Sequence, residues 1–304
     1  MPAPTLAVVI PATDAPATLD RCLTAIAAAD DPPDQLVVVT TPPGAGPAAA
    51  RNQGLRETTA DIVLFVDSDV LVHPDVFARV RRAFASDQRL VGVFGSYDHA
   101  VATRGMVAAF RNLLHHVVHQ RSAGDVESFW AGIGAVRRAG FDAAGGFDAD
   151  RYPRPSIEDI ELGGRLARQG RILLDPALQG THLKEWSLRS MVVTDFGRRG
   201  VPWVSLLVSR RELPATLNLG ARERASVVAA LAIAWGLASR RPLVIAAGVG
   251  AAVVLNHDLL GLMHERLGPR GAIAGIGLHT LHQLTAVAAV PAGLFASARE
   301  ARTP

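Results

Sequence analysis

Between residues 6 and 66, short apolar runs alternate with stretches of helical period, and this alternation restricts the fold more than any other feature. Residues 6–10, 36–39 and 62–66 are unbroken apolar runs, the pattern of strands covered on both faces. Between them, residues 18–29 place Leu19, Cys22, Leu23 and Ile26 at helical spacing, with Thr18 or Asp14 available as a cap. Residues 48–58 read as a second helix. Strand–helix–strand–helix–strand at this spacing argues for right-handed crossovers and a parallel sheet. Ligands gather at the carboxyl ends of such strands, here near Pro11, Ala12 and Thr13, near Thr40 and Thr41, and at Asp67-Ser68-Asp69. Two carboxylates one residue apart concentrate negative charge that a hard divalent cation relieves. The same tripeptide also reads as a solvated loop that merely ends its strand.

Further along, residues 74–84 read as a helix and 90–95 as a strand. Residues 98–126 are polar and His-rich, with weak helical period. His115 and His119 could share a helix face as metal ligands. With no Cys or matching carboxylate nearby, their spacing favours a solvated face. Residues 129–136 form another apolar run, whose glycines Gly132 and Gly134 permit close backbone approach to a ligand. Ser156 is expected to cap a helix, with Asp159 at its third position in capping-box fashion. That helix runs to about residue 167 and stops at Gly170. Residues 172–174 read as a further strand, followed by His182, Lys184 and Trp186.

Taken in order, these segments resemble the family 2 inverting glycosyltransferases over roughly residues 5–205. The matching motifs are Val8-Val9-Ile10-Pro11-Ala12, Gly46-Pro47-Ala48-Ala49-Ala50-Arg51-Asn52-Gln53-Gly54 and Val63-Leu64-Phe65-Val66-Asp67-Ser68-Asp69. Gly145-Gly146-Phe147-Asp148, Glu158-Asp159-Ile160-Glu161-Leu162, and His182 with Lys184 and Trp186 complete the series. The resemblance implies an α/β protein of the GT-A fold, a three-layer α/β/α sandwich that binds nucleotide diphosphate sugars. It implies that Asp69, with Asp67, holds Mg²⁺ or Mn²⁺ against the diphosphate, and that Asp67 also contacts the ribose. Asp159 would be the general base toward the acceptor hydroxyl, with Glu158 orienting it or the acceptor. His182 is either a further metal or diphosphate ligand, or a strand-end histidine bonded in the core. Pro11, Thr13, Thr40, Arg51 and Asn52 are expected along the nucleotide, and Trp130, Gly132 and Trp186 along the acceptor. One departure stands out. The acidic residue such proteins usually carry after the second strand is missing from Thr40-Thr41-Pro42-Pro43-Gly44, which leaves the nucleobase open. Asp14 is a candidate replacement.

Composition bounds the partners. The basic residues are almost all dispersed arginines, with Lys184 the sole lysine, and aromatics make up 5%. That excludes the clustered basic–aromatic surface of a nucleic-acid binder. A single cysteine, Cys22, excludes an intramolecular disulfide. The apolar fraction of 49% and mean hydropathy of +0.22 are high, and the excess lies in the last third. There, residues 225–239 and 243–255 are apolar runs separated by Arg240-Arg241-Pro242. As helices each is about 20 Å long, short of a ~30 Å hydrocarbon core. If the second run continued as helix through Asn256, His257 and Asp258 to Met263, it would just span. Residues 271–297 contain no Lys, Arg, Asp or Glu and are long enough to cross; His279, His282 and Gln283 within them would need protein partners.

We therefore expect a GT-A catalytic domain over residues 1–215 and a hydrophobic helical membrane-attachment region over 216–304. A small soluble helical domain is the alternative for the latter. Residues 1–10 lack the basic region and length of a secretory signal, so the catalytic domain is expected on the cytoplasmic side of the cell membrane. The expected activity is metal-dependent, inverting transfer of a sugar from a nucleotide diphosphate sugar to an acceptor hydroxyl, lipid-linked or on a growing glycan. A nucleotidyltransferase is a rival, although Pro11-Ala12-Thr13-Asp14 is not its Gly- and basic-rich loop. A non-catalytic membrane-bound nucleotide-sugar-binding protein is a second rival, motivated by Thr40-Thr41.

Overall fold

A computed structural model describes residues 4–211 and 220–300. The chain divides into two compact units, residues 1–102 with 119–184, and residues 103–118 with 185–304. The boundary expected at 215/216 lies outside the described residues. In chain order the elements begin β1 (Leu6–Pro11), α1 (Leu19–Ala27), β2 (Gln35–Val39), α2 (Pro47–Arg56), β3 (Ile62–Val66), β4 (Val70–Val72), α3 (Val76–Ser86) and β5 (Leu90–Tyr97). They continue with α4 (Met106–Arg121), β6 (Gly124–Asp125), β7 (Ile133–Arg137), α5 (Arg138–Ala144), α6 (Glu158–Leu166) and β8 (Arg171–His182). After residue 184 come α7 (Leu188–Val193), a π-helical stretch (Thr194–Gly200), α8 (Val201–Arg210), α9 (Ala221–Ala238), α10 (Pro242–Leu255) and α11 (His257–Glu300).

The first unit is built on one mixed sheet, ordered β2-β1-β3-β7-β5-β8-β4, with β6 beside β8. β1 pairs parallel with both β2 and β3, as the alternating pattern requires. Beyond these three strands the sheet is mixed: β7 runs antiparallel to β3 and β5, and β4 antiparallel to β8. The long connection after β5 re-enters the sheet at the end where β5 and β3 finish, with Ile133 opposite Val66 and Gly134 opposite Phe94. Even-numbered residues of β1 and β3 (Leu6, Val8, Ile10, Ile62, Leu64, Val66) share a core with Cys22 and Ile26 of α1 and with Val76, Phe77, Val80 and Phe84 of α3. Odd-numbered Phe65 faces the other way, into a ring cluster with Phe141 and Phe147 at 5.9 and 5.3 Å. Strand alternation thus sets helices on both faces, in three layers.

Residues 98–126 are not the solvated stretch their polarity suggests. They contain the helix α4, and His116 and His119 in it are buried. His119, in the first unit, bonds through Nδ1 to the Gly95 carbonyl at 2.8 Å and meets Phe94 edge-on. A backbone acceptor on β5 meets the ring's polar need, so burial costs it little.

In the second unit, Phe110, Leu113 and Val117 of α4 pack with Met191, Leu259 and Met263. Arg111 Nη1 donates to both Asp195 oxygens at 2.8 and 3.0 Å, and His282 Nδ1 approaches the same carboxylate at 2.8 Å. His282 therefore has the protein partner it was expected to need. α9 and α10 form a hairpin across the Arg240-Arg241 turn, with outward Trp235, Leu237, Leu243 and Val254 exposed. α10 ends at Leu255, and Asn256 breaks the continuation to Met263 that would have lengthened it. α11 is interrupted at Gly268, whose φ of 71° belongs to the left-handed region, and Pro269 opens its second segment. α11 is, among the described residues, the one helix long and apolar enough to cross a membrane.

Candidate active site

Asp67-Ser68-Asp69 is a tight turn rather than a loose loop. The Asp67 N–H donates to the Gly132 carbonyl at 3.0 Å, and the Val70 N–H to the Asp67 carbonyl at 3.0 Å. β4 then starts at once and pairs antiparallel with β8, setting Val70 opposite His182. The Leu183 N–H closes onto the Asp69 carbonyl at 2.8 Å. This short hydrogen-bonded strand brings His182 Nε2 to 3.5 Å from Asp69 Oδ2, with the His182 side chain only 6% exposed. Burial pushes the Asp69 carboxyl up, but the His182 hydrogen bond and the charges of His182 and Lys184 leave it below the ordinary carboxylate range.

Asp67 is turned another way. Arg51, from α2, places Nη2 2.6 Å from Asp67 Oδ1 and Nη1 3.1 Å from Glu158 Oε1. Burial, with Asp69 adding to it, holds Asp67 above the ordinary range despite Arg51. Burial pulls Arg51 down, yet the negative charges of Asp67, Glu158 and Asp159 keep it above its usual value. Arg51, expected either to steady a nucleotide or to serve the structure, forks between two carboxylates from distant segments, the buried Glu158 and the part-exposed Asp67. Asn52 is likewise engaged, donating to the Phe147 carbonyl at 2.8 Å and accepting from the Phe147 N–H at 2.9 Å. Gly145 and Gly146, at φ 81° and 71°, make the turn that presents that backbone.

The three-ligand set Asp67, Asp69 and His182 is not assembled. Among the described residues no three His, Cys, Asp or Glu side chains converge as a metal cluster. Asp69 and His182 remain as a carboxylate–imidazole pair, because Asp67 is drawn into the Arg51 fork.

The capping box expected at Ser156 and Asp159 is also absent. The N-cap of α6 is Ile157, with no side-chain cap. The anchored Glu158 reaches back instead, and its Oε2 accepts the Ser156 N–H at 2.8 Å. Asp159 Oδ1 accepts from the Ile160 N–H at 2.8 Å, and Oδ2 lies 3.4 Å from the Ala131 N–H. Segment 130–132 therefore joins both acidic groups, Asp67 through Gly132 and Asp159 through Ala131.

Near the amino-terminal strands, the Ala12 N–H donates to the Val39 carbonyl at 2.9 Å, and the Gly44 N–H to the Thr13 carbonyl at 2.9 Å. The Thr13 hydroxyl donates to the Ala45 carbonyl. Pro11, Thr13 and Thr40 thus share one rim of the sheet, and Asp14 and Thr40 are exposed there. Trp130 stands edge-on to Tyr97 at 4.8 Å. Trp186 belongs to the second unit, where Arg111 lies 4.9 Å over its ring. The sequence reading missed Tyr97 and the core role of His119. The signal for Tyr97 was available, since β5 simply continues two residues past the expected end at 95.

Residues 31–145 match the family model described as "Glycosyl transferase family 2". No curated protein sequence matches the chain. Among solved structures, the mannosyltransferase PcManGT from Pyrobaculum calidifontis, in complex with GDP-Man and Mn²⁺, is 19% identical with a TM-score of 0.59. It covers 96% of this chain and 88% of its own. Residues 1–349 of TarS from S. aureus give 12% identity and a TM-score of 0.49, covering 93% and 90%. Glucosyl-3-phosphoglycerate synthase from Mycobacterium tuberculosis, in complex with phosphoglyceric acid, gives 20% and 0.44, covering 68% and 80%. At these identities the likeness to the first of them is one of fold: the α/β unit has the GT-A architecture.

Proposed function

We propose that this chain, whose α/β unit is similar to the family 2 glycosyltransferases, transfers a sugar from a nucleotide diphosphate sugar to an acceptor hydroxyl with inversion. What supports the reading most is segment 130–132, which ties the turn carrying Asp69, with His182 of β8 beside it, to Asp159. A site for the leaving diphosphate and a base for the acceptor are thereby held in one unit.

The donors present fit a divalent ion. Mg²⁺ and Mn²⁺ complexes of nucleotides take one or two protein ligands and complete their shell with phosphate and water. Asp69 and His182 would hold Mg²⁺ or Mn²⁺, which when bound neutralises charge on the departing diphosphate. Asp67 keeps its second oxygen for the ribose, while Pro11, Thr13 and Thr40 form the rim beside the nucleoside. Glu158 is locked to the buried Arg51 guanidinium and to the Ser156 N–H, so in this reading it positions and Asp159 acts as base. Asp159 Oδ2 takes the proton of the acceptor hydroxyl as the hydroxyl oxygen attacks the anomeric carbon opposite the leaving diphosphate. Trp130 and Gly132, on either side of the Ala131 N–H that contacts that base, would meet the acceptor.

The exposed apolar residues of α9, α10 and α11 support attachment to a cell membrane, with the α/β unit on its cytoplasmic side and the acceptor lipid-linked or a glycan. Membrane pellets that keep the chain through a high-pH carbonate wash are expected; recovery in the soluble fraction would sink the attachment.

Asp159→Asn is expected to lower turnover by about 10²–10⁴-fold while the chain stays folded. Asp69→Ala is expected to abolish it. The assay is release of nucleoside diphosphate from a panel of nucleotide sugars with Mn²⁺. Full turnover by purified Asp159→Asn would remove it as the base. Release of pyrophosphate would favour the nucleotidyltransferase, and calorimetry showing no binding to any member of the panel would favour a protein without donor recognition.

A further inference from the structure

We infer that Tyr97 is a positioning residue that fixes the His182 imidazole for its part in the proposed metal–diphosphate site; the inference rests on that reading of the site. β5 and β8 run parallel with Tyr97 opposite Gly180. His182 lies two residues beyond Gly180, so its side chain leaves the same face of the sheet, diagonal to Tyr97. The two rings stack face to face, with centroids 4.1 Å apart and planes 9° from parallel. Trp130 meets Tyr97 edge-on at 4.8 Å and 89°. His119 meets Trp130 edge-on at 5.3 Å, and His119 Nδ1 is bonded to the carbonyl of Gly95, two residues before Tyr97 on β5. The contacts form a closed loop of rings that starts and ends on one strand.

The loop braces Tyr97, and the His182 imidazole stacked on it cannot tilt toward that ring without driving its edge into it. The direction of Nε2, toward Asp69 Oδ2, is therefore set by packing rather than by the Asp69 contact, which at 3.5 Å is weak. An imidazole that must ligate an ion gains affinity when its plane is fixed beforehand, and groups that orient a ligating histidine typically contribute 10–100-fold. Stacking uses the ring face and not the Tyr97 hydroxyl, so phenylalanine should serve as well.

The test uses the full chain and three single variants, Tyr97→Phe, Tyr97→Leu and His182→Ala, with Mn²⁺ and either GDP or UDP as the probe. Two measurements are made: Mn²⁺ affinity in the presence of the nucleotide, from the electron paramagnetic resonance of free Mn²⁺, and, without metal, the ring-proton shift of ¹³C-labelled His182. Tyr97→Phe is expected to keep the ring-current shift and to bind Mn²⁺–nucleotide within about two-fold of the parent. Tyr97→Leu is expected to lose the shift and about ten-fold in affinity. Combined with His182→Ala, Tyr97→Leu should cost nothing further. Should the leucine variant fail to fold, Tyr97→Met gives the same comparison with a more adaptable side chain. Parent-like affinity in a folded Tyr97→Leu chain that has lost the shift would overturn the inference, as would additive losses in the double variant. A parent chain that binds no Mn²⁺–nucleotide, with the shift behaving as described, would instead locate the failure in the proposed site itself.

Discussion

Arg51 carries more than its place in the sequence suggests. It is buried between Asp67 and Glu158, and Glu158 lies 107 residues along the chain from it. Removing one member of a buried charge network leaves its partners unsatisfied, a loss of about 3–5 kcal/mol. Arg51→Met is therefore expected to lower unfolding stability by that order, and Arg51→Lys to recover only part, since an ammonium cannot fork between two carboxylates. Urea denaturation of the purified variants checks this, and a methionine variant as stable as the parent would refute it. The same residue marks where sequence reading stopped. The acidic turn was legible because it directly follows an apolar strand. That Arg51 and Asn52 face Glu158 and Phe147 was not, since long-range pairing leaves no local periodicity to read.

Between elements, the His73–Asp98 pair links the start of α3 to the end of β5. His73 Nε2 lies 2.9 Å from Asp98 Oδ2, which also accepts from the Thr181 hydroxyl on β8. The Asp98 hydrogen bond raises the His73 pKa against the opposing effect of burial. Burial would raise Asp98, but hydrogen bonds from His73 and Thr181 leave it lowered. A histidine with a raised folded pKa stabilises fully below its unfolded value of about 6.5 and loses this as pH rises through the folded value. A carboxylate with a lowered folded pKa stabilises above about 3.9 and loses this as pH falls through its folded value. The pair should contribute most between those limits, and Asp98→Asn should flatten stability against pH above about 6.5. Equal slopes in parent and variant, from urea midpoints across pH 5–9, would show that the pair does not couple to folding. At this scale the strands and most helices of the first unit were readable from runs and spacing. The three-residue β4 was hidden in the acidic turn, and the direction of β7 depends on the route of a long connection, which local pattern does not encode.

Across the whole molecule, the two units differ in what covers their apolar residues. In the first, the strands close on helices on both faces. In the second, α9 and α10 leave Trp235, Leu237, Leu243 and Val254 exposed. The apolar character of the last third was plain from composition, while the Arg111–Asp195–His282 network was not, because its members sit on three separate helical segments. Cys22 offers a global test of the first unit. Burial, reinforced by Asp67 and Asp69, pushes its thiol up to about 12. At pH 8 that leaves roughly one thiolate in ten thousand, so alkylation should require unfolding. Iodoacetamide labelling followed by mass spectrometry along a urea series should track the loss of structure; rapid labelling in native buffer would contradict the buried placement.

Lys184 has a practical consequence. It is the chain's sole lysine, it is exposed, and its charge acts on both Asp67 and Asp69. Among side chains, amine-seeking reagents (succinimidyl esters, aldehyde cross-linkers, carboxylated sensor surfaces) find that one position. Coupling the protein to a chip through its lysine would tether it by the rim of its own acidic turn, whereas a fluorophore attached there would report on whatever anion or cation arrives.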